Sequence, residues 1–178
     1  MYRLFTIDSL DDVPPQYRGT PIERLVAYQN LGEPHPPVVS AEMLIGMCMD
    51  NRKVLRIPEN FAFVLRAGGA NLRPSEFKVS YAIAVGGVRA IAIVTHNRCG
   101  MSGLIERRQQ FIDGLVDAGW DVDAATRSFD SYAPMFEIGD EIDFALTEAK
   151  RLRARYPNVL VAPFRYDVDD NRLYGVKE

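Results

Sequence analysis

Apolar residues in this 178-residue chain gather in short runs, separated by longer stretches whose apolar positions recur at helical spacing. The run Met43-Leu44-Ile45-Gly46-Met47-Cys48 ends at a charged turn, which predicts a strand buried on both faces. Residues 61–65 form a second such run, closed by Arg66-Ala67-Gly68-Gly69. Residues 90–95 give the clearest strand and lead straight into His96. Residues 159–164 predict a fourth strand, and Asp169-Asp170-Asn171 a turn into a short last one at 172–176.

Helical patterns lie between these runs. Thr20-Pro21-Ile22-Glu23 reads as a helix start, with Thr20 as cap, Pro21 at the first helical position and Glu23 completing a capping box. That helix carries Leu25, Val26 and Tyr28 until Gly32 and Pro34 stop it. A second opens at Pro74 and carries Phe77, Tyr81 and Val85 up to Gly86-Gly87. Residues 102–118 and 137–155 repeat the spacing, and the polar stretch between them reads as irregular. Strands alternating with helices predict an α/β fold with a mainly parallel central sheet flanked by helices. Residues 1–19 read as an irregular arm. Residues 1–37 then form an arm plus helix, and 38–178 a single α/β domain.

Composition narrows the class of function. A net charge of -3 gives no reason to expect nucleic acid or a membrane surface as partner. No apolar run has signal-peptide or membrane-span length, and there are only two cysteines. The expected setting is therefore a reducing one, the cytoplasm, where thiols serve as ligands or nucleophiles more often than as bridges.

Cys48 and His96 fall at predicted strand ends and Cys99 at the start of the following helix, in Cys48-Met49-Asp50-Asn51-Arg52 and His96-Asn97-Arg98-Cys99-Gly100. In a parallel sheet such ends form the rim where ligands gather. Two thiolates and an imidazole make a three-donor set for Zn²⁺ that leaves a fourth position open, as catalytic zinc sites do. Two other readings stay open: a pair of buried structural cysteines with an unrelated histidine, or a Cys48–Cys99 disulfide. Asp50 and Arg52 alternate along the chain, so the guanidinium can hold the carboxylate in a paired hydrogen bond. His35 sits in a Pro-rich linker and reads as a surface residue. Residues 150–155 read as the exposed basic face of a helix, and Gly68-Gly69 and Gly86-Gly87 read equally as plain turns, since neither fits a dinucleotide or phosphate-loop spacing.

Cys48-x-Asp50-x-Arg52, Arg66-Ala67-Gly68 and His96-x-x-Cys99-Gly100, in this order, resemble the beta-class carbonic anhydrases. The resemblance covers residues 40–104 and, more loosely, 159–176. It implies zinc-dependent hydration of carbon dioxide to bicarbonate, with Cys48, His96 and Cys99 as metal ligands. It gives Asp50 the task of orienting water and Arg52 that of holding Asp50, and lets Asp50 bind the metal itself in a closed state. It also implies a homodimer or higher oligomer, with the helix from Thr20 reaching over the neighbour. Relatives with the same metal motif hydrolyse carbonyl sulfide or carbon disulfide, so those activities stand as alternatives, as does a silent zinc-binding domain. Two departures concern the site: the Gly-rich segment is rearranged to Arg66-Ala67-Gly68-Gly69-Ala70-Asn71, and Arg98 is expected to place a positive charge beside the metal.

Overall fold

The apolar runs become the middle of one six-stranded sheet. The structure, a computed structural model, describes residues 3–178; residues 1 and 2 of the expected arm lie outside the described residues. The strands are β1 (Leu4–Phe5), β2 (Met43–Met47), β3 (Ala62–Arg66), β4 (Ala90–His96), β5 (Leu160–Asp167) and β6 (Arg172–Val176), in the order β1-β6-β5-β4-β2-β3. Pairings β3–β2, β2–β4 and β4–β5 are parallel, while β6 runs antiparallel to both β5 and β1. The mainly parallel α/β sheet is thus as expected. β1 is an addition: the arm is not irregular throughout, because Leu4 and Phe5 pair with Val176 and Gly175. Gly175 is required there, since a Cβ at this position would lie 2.0 Å from the Phe5 ring.

The helices are α1 (Pro21–Val26), α2 (Glu76–Ala84), α3 (Arg108–Asp117), α4 (Val122–Phe136) and α5 (Glu141–Arg155). Strand alternation sends one set of side chains to each face of the sheet. Met43, Ile45, Met47, Ala92 and Val94 pack with Ile22, Leu25 and Val26 of α1. Leu44, Ile91, Ile93 and Val161 pack with Val79 and Ala82 of α2 and with Ala145, Ala149 and Leu152 of α5. At about 25 cal/mol per Å² of apolar surface removed from water, these two layers dominate the drive to fold. None of the helices among the described residues is long and apolar enough to cross a membrane.

Several expectations need correction. At α1, the Thr20 side chain accepts from the Ile22 N–H, but the Thr20 N–H donates to the Tyr17 carbonyl, so Glu23 closes no capping box. The apolar face of α1 packs on its own sheet, with Ile22, Leu25 and Val26 fully buried. β3 is not buried on both faces. It is an edge strand, because among the described residues only β2 pairs with it, and Phe63 and Val64 are partly exposed. On α2 the large stripe Phe77, Tyr81, Val85 faces solvent, and the smaller Val79 and Ala82 face the sheet. Two stripes of helical spacing competed there, and the one with less bulk lies on the sheet.

The helix expected at 102–118 starts only at Arg108, after a turn-rich segment, and the polar stretch after it is α4, capped by Asp121 accepting from the Ala124 N–H. The basic stretch at 150–155 is not a plain exposed face either. Arg151 holds the fully buried carboxylate of Glu148 through two hydrogen bonds (2.8 and 2.9 Å) and also reaches Glu76 on α2, while Leu152 is core.

Candidate metal centre

The rim formed by the C-terminal ends of β2 and β4 carries the chemistry. β2 delivers Cys48 one residue past its end, and β4 ends on His96 itself. A tight turn then returns Cys99 to the same place, helped by the left-handed backbone of Arg98 (φ 54°). Cys99 therefore lies in a turn, well before α3 rather than at a helix start. All three side chains are buried, and their candidate ligand atoms lie within 4.8 Å of one another. The Cys48 and Cys99 Sγ atoms are 3.9 Å apart and both cysteines are free, so the disulfide reading fails.

The imidazole is set up to donate a lone pair. His96 Nδ1 lies 2.9 Å from the Asn97 carbonyl oxygen, which can only accept, so the proton sits on Nδ1. That leaves Nε2 bare, and it is buried with no hydrogen-bond partner among the described residues. A lone pair buried without a partner is costly in a folded protein unless a cation takes it. The two thiols are polarised in opposite directions by one shared proton. Cys48 is pulled far below the ordinary thiol range, first by the hydrogen bond from Cys99 and then by His96 and the Asp50 and Gly69 backbones, against the opposing effect of burial. Cys99 is pushed up by the same shared proton and by burial. A divalent cation held between the two sulfurs would displace their shared proton. Two soft sulfurs and an imidazole suit zinc. Cys48, His96 and Cys99 would hold it.

Around this trio the structure builds a scaffold. Asp50 accepts from Arg52 at both oxygens, from Nε at 3.0 Å and from Nη2 at 2.6 Å, and from the Arg52 backbone N–H at 2.9 Å. The guanidinium, foremost, keeps the Asp50 carboxyl ionised well below the usual carboxylate range. Asp50 Oδ2 lies 3.9 Å from His96 Nε2, so the carboxylate faces the ligand cluster. Arg52 Nη2 also donates to the Arg98 carbonyl at 3.1 Å and so ties the two motifs together.

Arg98 itself corrects an expectation. Its guanidinium turns outward onto Asp169 at 2.6 Å and is largely exposed, so its charge does not sit beside the ligands. Asn97 turns the other way, with Nδ2 donating to Asp167 and Oδ1 accepting from the Val168 N–H.

Three contributors were not assigned from the sequence. The Gly69 N–H donates to Cys48 Sγ at 3.3 Å, from a residue with φ 63°. A Cβ there would lie 2.6 Å from Ile138 Cγ2, so this is no plain turn. Arg66 Nη1 donates to the Cys48 and Asp50 carbonyls, and its Nη2 to that of Lys53. Lys53 is 1% exposed, and Nζ donates to the Asp50 carbonyl at 3.3 Å. Burial lowers the Lys53 pKa, against the pull of the nearby anionic Cys48 and Asp50. A basic residue in a charged turn carries no sequence signal for such burial. His35, by contrast, lies away from the centre and meets the Tyr28 ring edge-on at 5.5 Å.

No protein-family model matches the sequence, and no curated protein matches it. Solved structures do. The chain is similar to a carbonic anhydrase from Glaciozyma antarctica at 22% identity, over 92% of this chain and 95% of that one, with a TM-score of 0.62. It is also similar to a beta-carbonic anhydrase from Trichomonas vaginalis at 18% identity, over 84% and 91%, with a TM-score of 0.67. A carbon disulfide hydrolase matches at 17% identity, over 85% and 84%, with a TM-score of 0.55. At such identities the likeness is one of architecture: this chain has the beta-carbonic-anhydrase fold.

Proposed function

We propose that this protein is a zinc-dependent carbonic anhydrase, converting carbon dioxide and water to bicarbonate and a proton. The observation that carries the reading is the convergence of Cys48, His96 and Cys99 beside a carboxylate held at both oxygens by Arg52. When bound there, zinc supplies Lewis acidity that brings the pKa of water from near 16 to about 7. The chain's own residues do the rest. Cys48, Cys99 and His96 hold the ion, and the Asn97 carbonyl fixes the imidazole tautomer. Asp50 stays ionised, accepts a hydrogen bond from the attacking water and sets its orientation. Arg52 holds Asp50 in that pose. Besides His96, the chain has only His35, which packs on Tyr28, so buffer carries the proton away and turnover rises with buffer concentration.

A second reading, hydrolysis of a sulfur analogue such as carbonyl sulfide or carbon disulfide, is favoured by an apolar cavity with Met49 and Met101 in its wall. The likeness to a carbon disulfide hydrolase supports it as well. The exposed Phe77, Tyr81 and Phe63 support association as a homodimer. A thiolate donor pair requires a reducing setting, for which we propose the cytoplasm. Metal content, CO₂ hydration and H₂S release from carbonyl sulfide are to be measured on wild type and Cys48→Ser. The reading requires about one zinc per chain and CO₂ hydration lost with the ligand. Protein that holds zinc yet stays inert from pH ~7 to ~9 overturns it in favour of a silent zinc-binding domain.

A further inference from the structure

A cavity of about 380 Å³ opens beside the metal centre, between the Gly68 turn and helices α3 and α4. Met49, Gly68 and Met101 form its inner end, and Phe111 and Phe129, edge to face at 5.1 Å, form a side wall. None of the described residues lining it carries a charge. Its inner end is contiguous with the ligand cluster: Met101 packs against the group that includes Cys48 and Cys99, and Gly69, next to Gly68, donates to Cys48 Sγ. Gly68 keeps this end open, since a Cβ there would lie 2.9 Å from Met101 Sδ.

The volume does not match the proposed reaction. A three-atom molecule takes roughly two water volumes, about 60 Å³, and would leave most of the space unfilled. The cavity falls instead in the range of about 300–1,000 Å³ typical of small-molecule sites, too small for a folded partner segment. Apolar walls do not hold water well, and apolar cavities less than half this size take up benzene. The walls offer aromatic edges and thioethers, which favour a flat or branched hydrocarbon body over a charged or strongly hydrated one.

We propose that this cavity is a ligand site in its own right, taking a neutral apolar molecule with a body of six to ten heavy atoms, such as a substituted aromatic ring. The ligand lies with one end against Met49 and Met101, beside the metal ligands. The assignment rests on the cavity alone and does not require zinc or CO₂ hydration.

The test is titration of the full-length protein, labelled at the methionine methyl groups, with toluene, and with acetate as a charged control, followed by NMR. Toluene should shift the Met49 and Met101 methyl signals saturably and leave the core residues Met43 and Met47 unmoved, while acetate does nothing. Ser128→Phe, which fills the cavity from α4 without touching the metal ligands, should weaken toluene binding at least about tenfold. The same variant should keep the wild-type metal content and unfolding midpoint. The proposal falls if toluene gives no saturable shift, or if Ser128→Phe leaves the affinity unchanged. It also falls if the two signals respond to protein concentration rather than to toluene, which would make this face a contact between copies of the chain. Loss of CO₂ hydration activity with toluene binding intact would sink the carbonic anhydrase reading alone.

Discussion

Arg52 grips both oxygens of Asp50 and reaches across to the Arg98 carbonyl, so a single side chain fixes the acidic group and joins the two ligand-bearing segments. A lysine supplies charge there but no planar fork. Arg52→Lys should therefore retain metal while lowering CO₂ hydration by about 10- to 100-fold, as loss of a supporting partner does elsewhere; parallel metal analysis and stopped-flow assays read the two effects. Gly69 gives a second residue-level expectation. Gly69→Ala combines a disfavoured φ of 63° with a Cβ 2.6 Å from Ile138, and should cost about 1–3 kcal/mol in denaturant unfolding. At this scale the sequence was legible where the residue type itself carries the chemistry: Cys48, His96, Cys99, Asp50 and Arg52 all stand in one place. It was not legible for Lys53, Arg66 and Gly69. Their roles depend on which backbone groups come near them, and residue type does not encode that.

At the scale of elements, the turns between β4 and α3 depend on one carboxylate. Glu137, just past α4, accepts from the backbone N–H groups of Gly103, Ile105 and Gly139. Burial pushes its pKa up, but these donors outweigh it and hold the group below its ordinary 4.5. The sign follows directly. A carboxylate with a lowered folded-state pKa adds stability above its unfolded value, and that stability is lost as pH falls through the folded value. Thermal unfolding of wild type should weaken below about pH 4.5, and Glu137→Gln should show a smaller drop while being about 1 kcal/mol less stable near neutrality.

At the other end, Gly175→Ala would evict the Phe5 ring, so the arm should become cleavable by protease while the metal content stays unchanged. Strands were the best predicted elements, because apolar runs of four to eight residues have few other destinations. Helices were less so. α4 hides an apolar stripe (Ala125, Phe129, Ala133) under polar neighbours, and α2 offers two stripes between which only the packed sheet decides.

For the molecule as a whole, the parallel centre β3-β2-β4-β5 places two loops from different parts of the chain on one rim, which is why residues 48 and 96 meet although 48 positions separate them. The order of strands and helices made this fold legible without a structure. The edges were not. β1 is two residues long and pairs with β6, and the outward faces of β3 and α2 carry exposed apolar residues. If those faces meet in a dimer, Tyr81→Glu should shift sedimentation toward the monomer without unfolding the protein.

The central claim, that Cys48, His96 and Cys99 share one ion, is tested most directly by X-ray absorption at the metal edge on protein purified from zinc-supplemented medium. The account predicts about one zinc per chain with two sulfur donors and at least one imidazole nitrogen, falling to one sulfur in Cys99→Ser. Protein that keeps no metal, or a bound ion whose spectrum contains no sulfur, would contradict it.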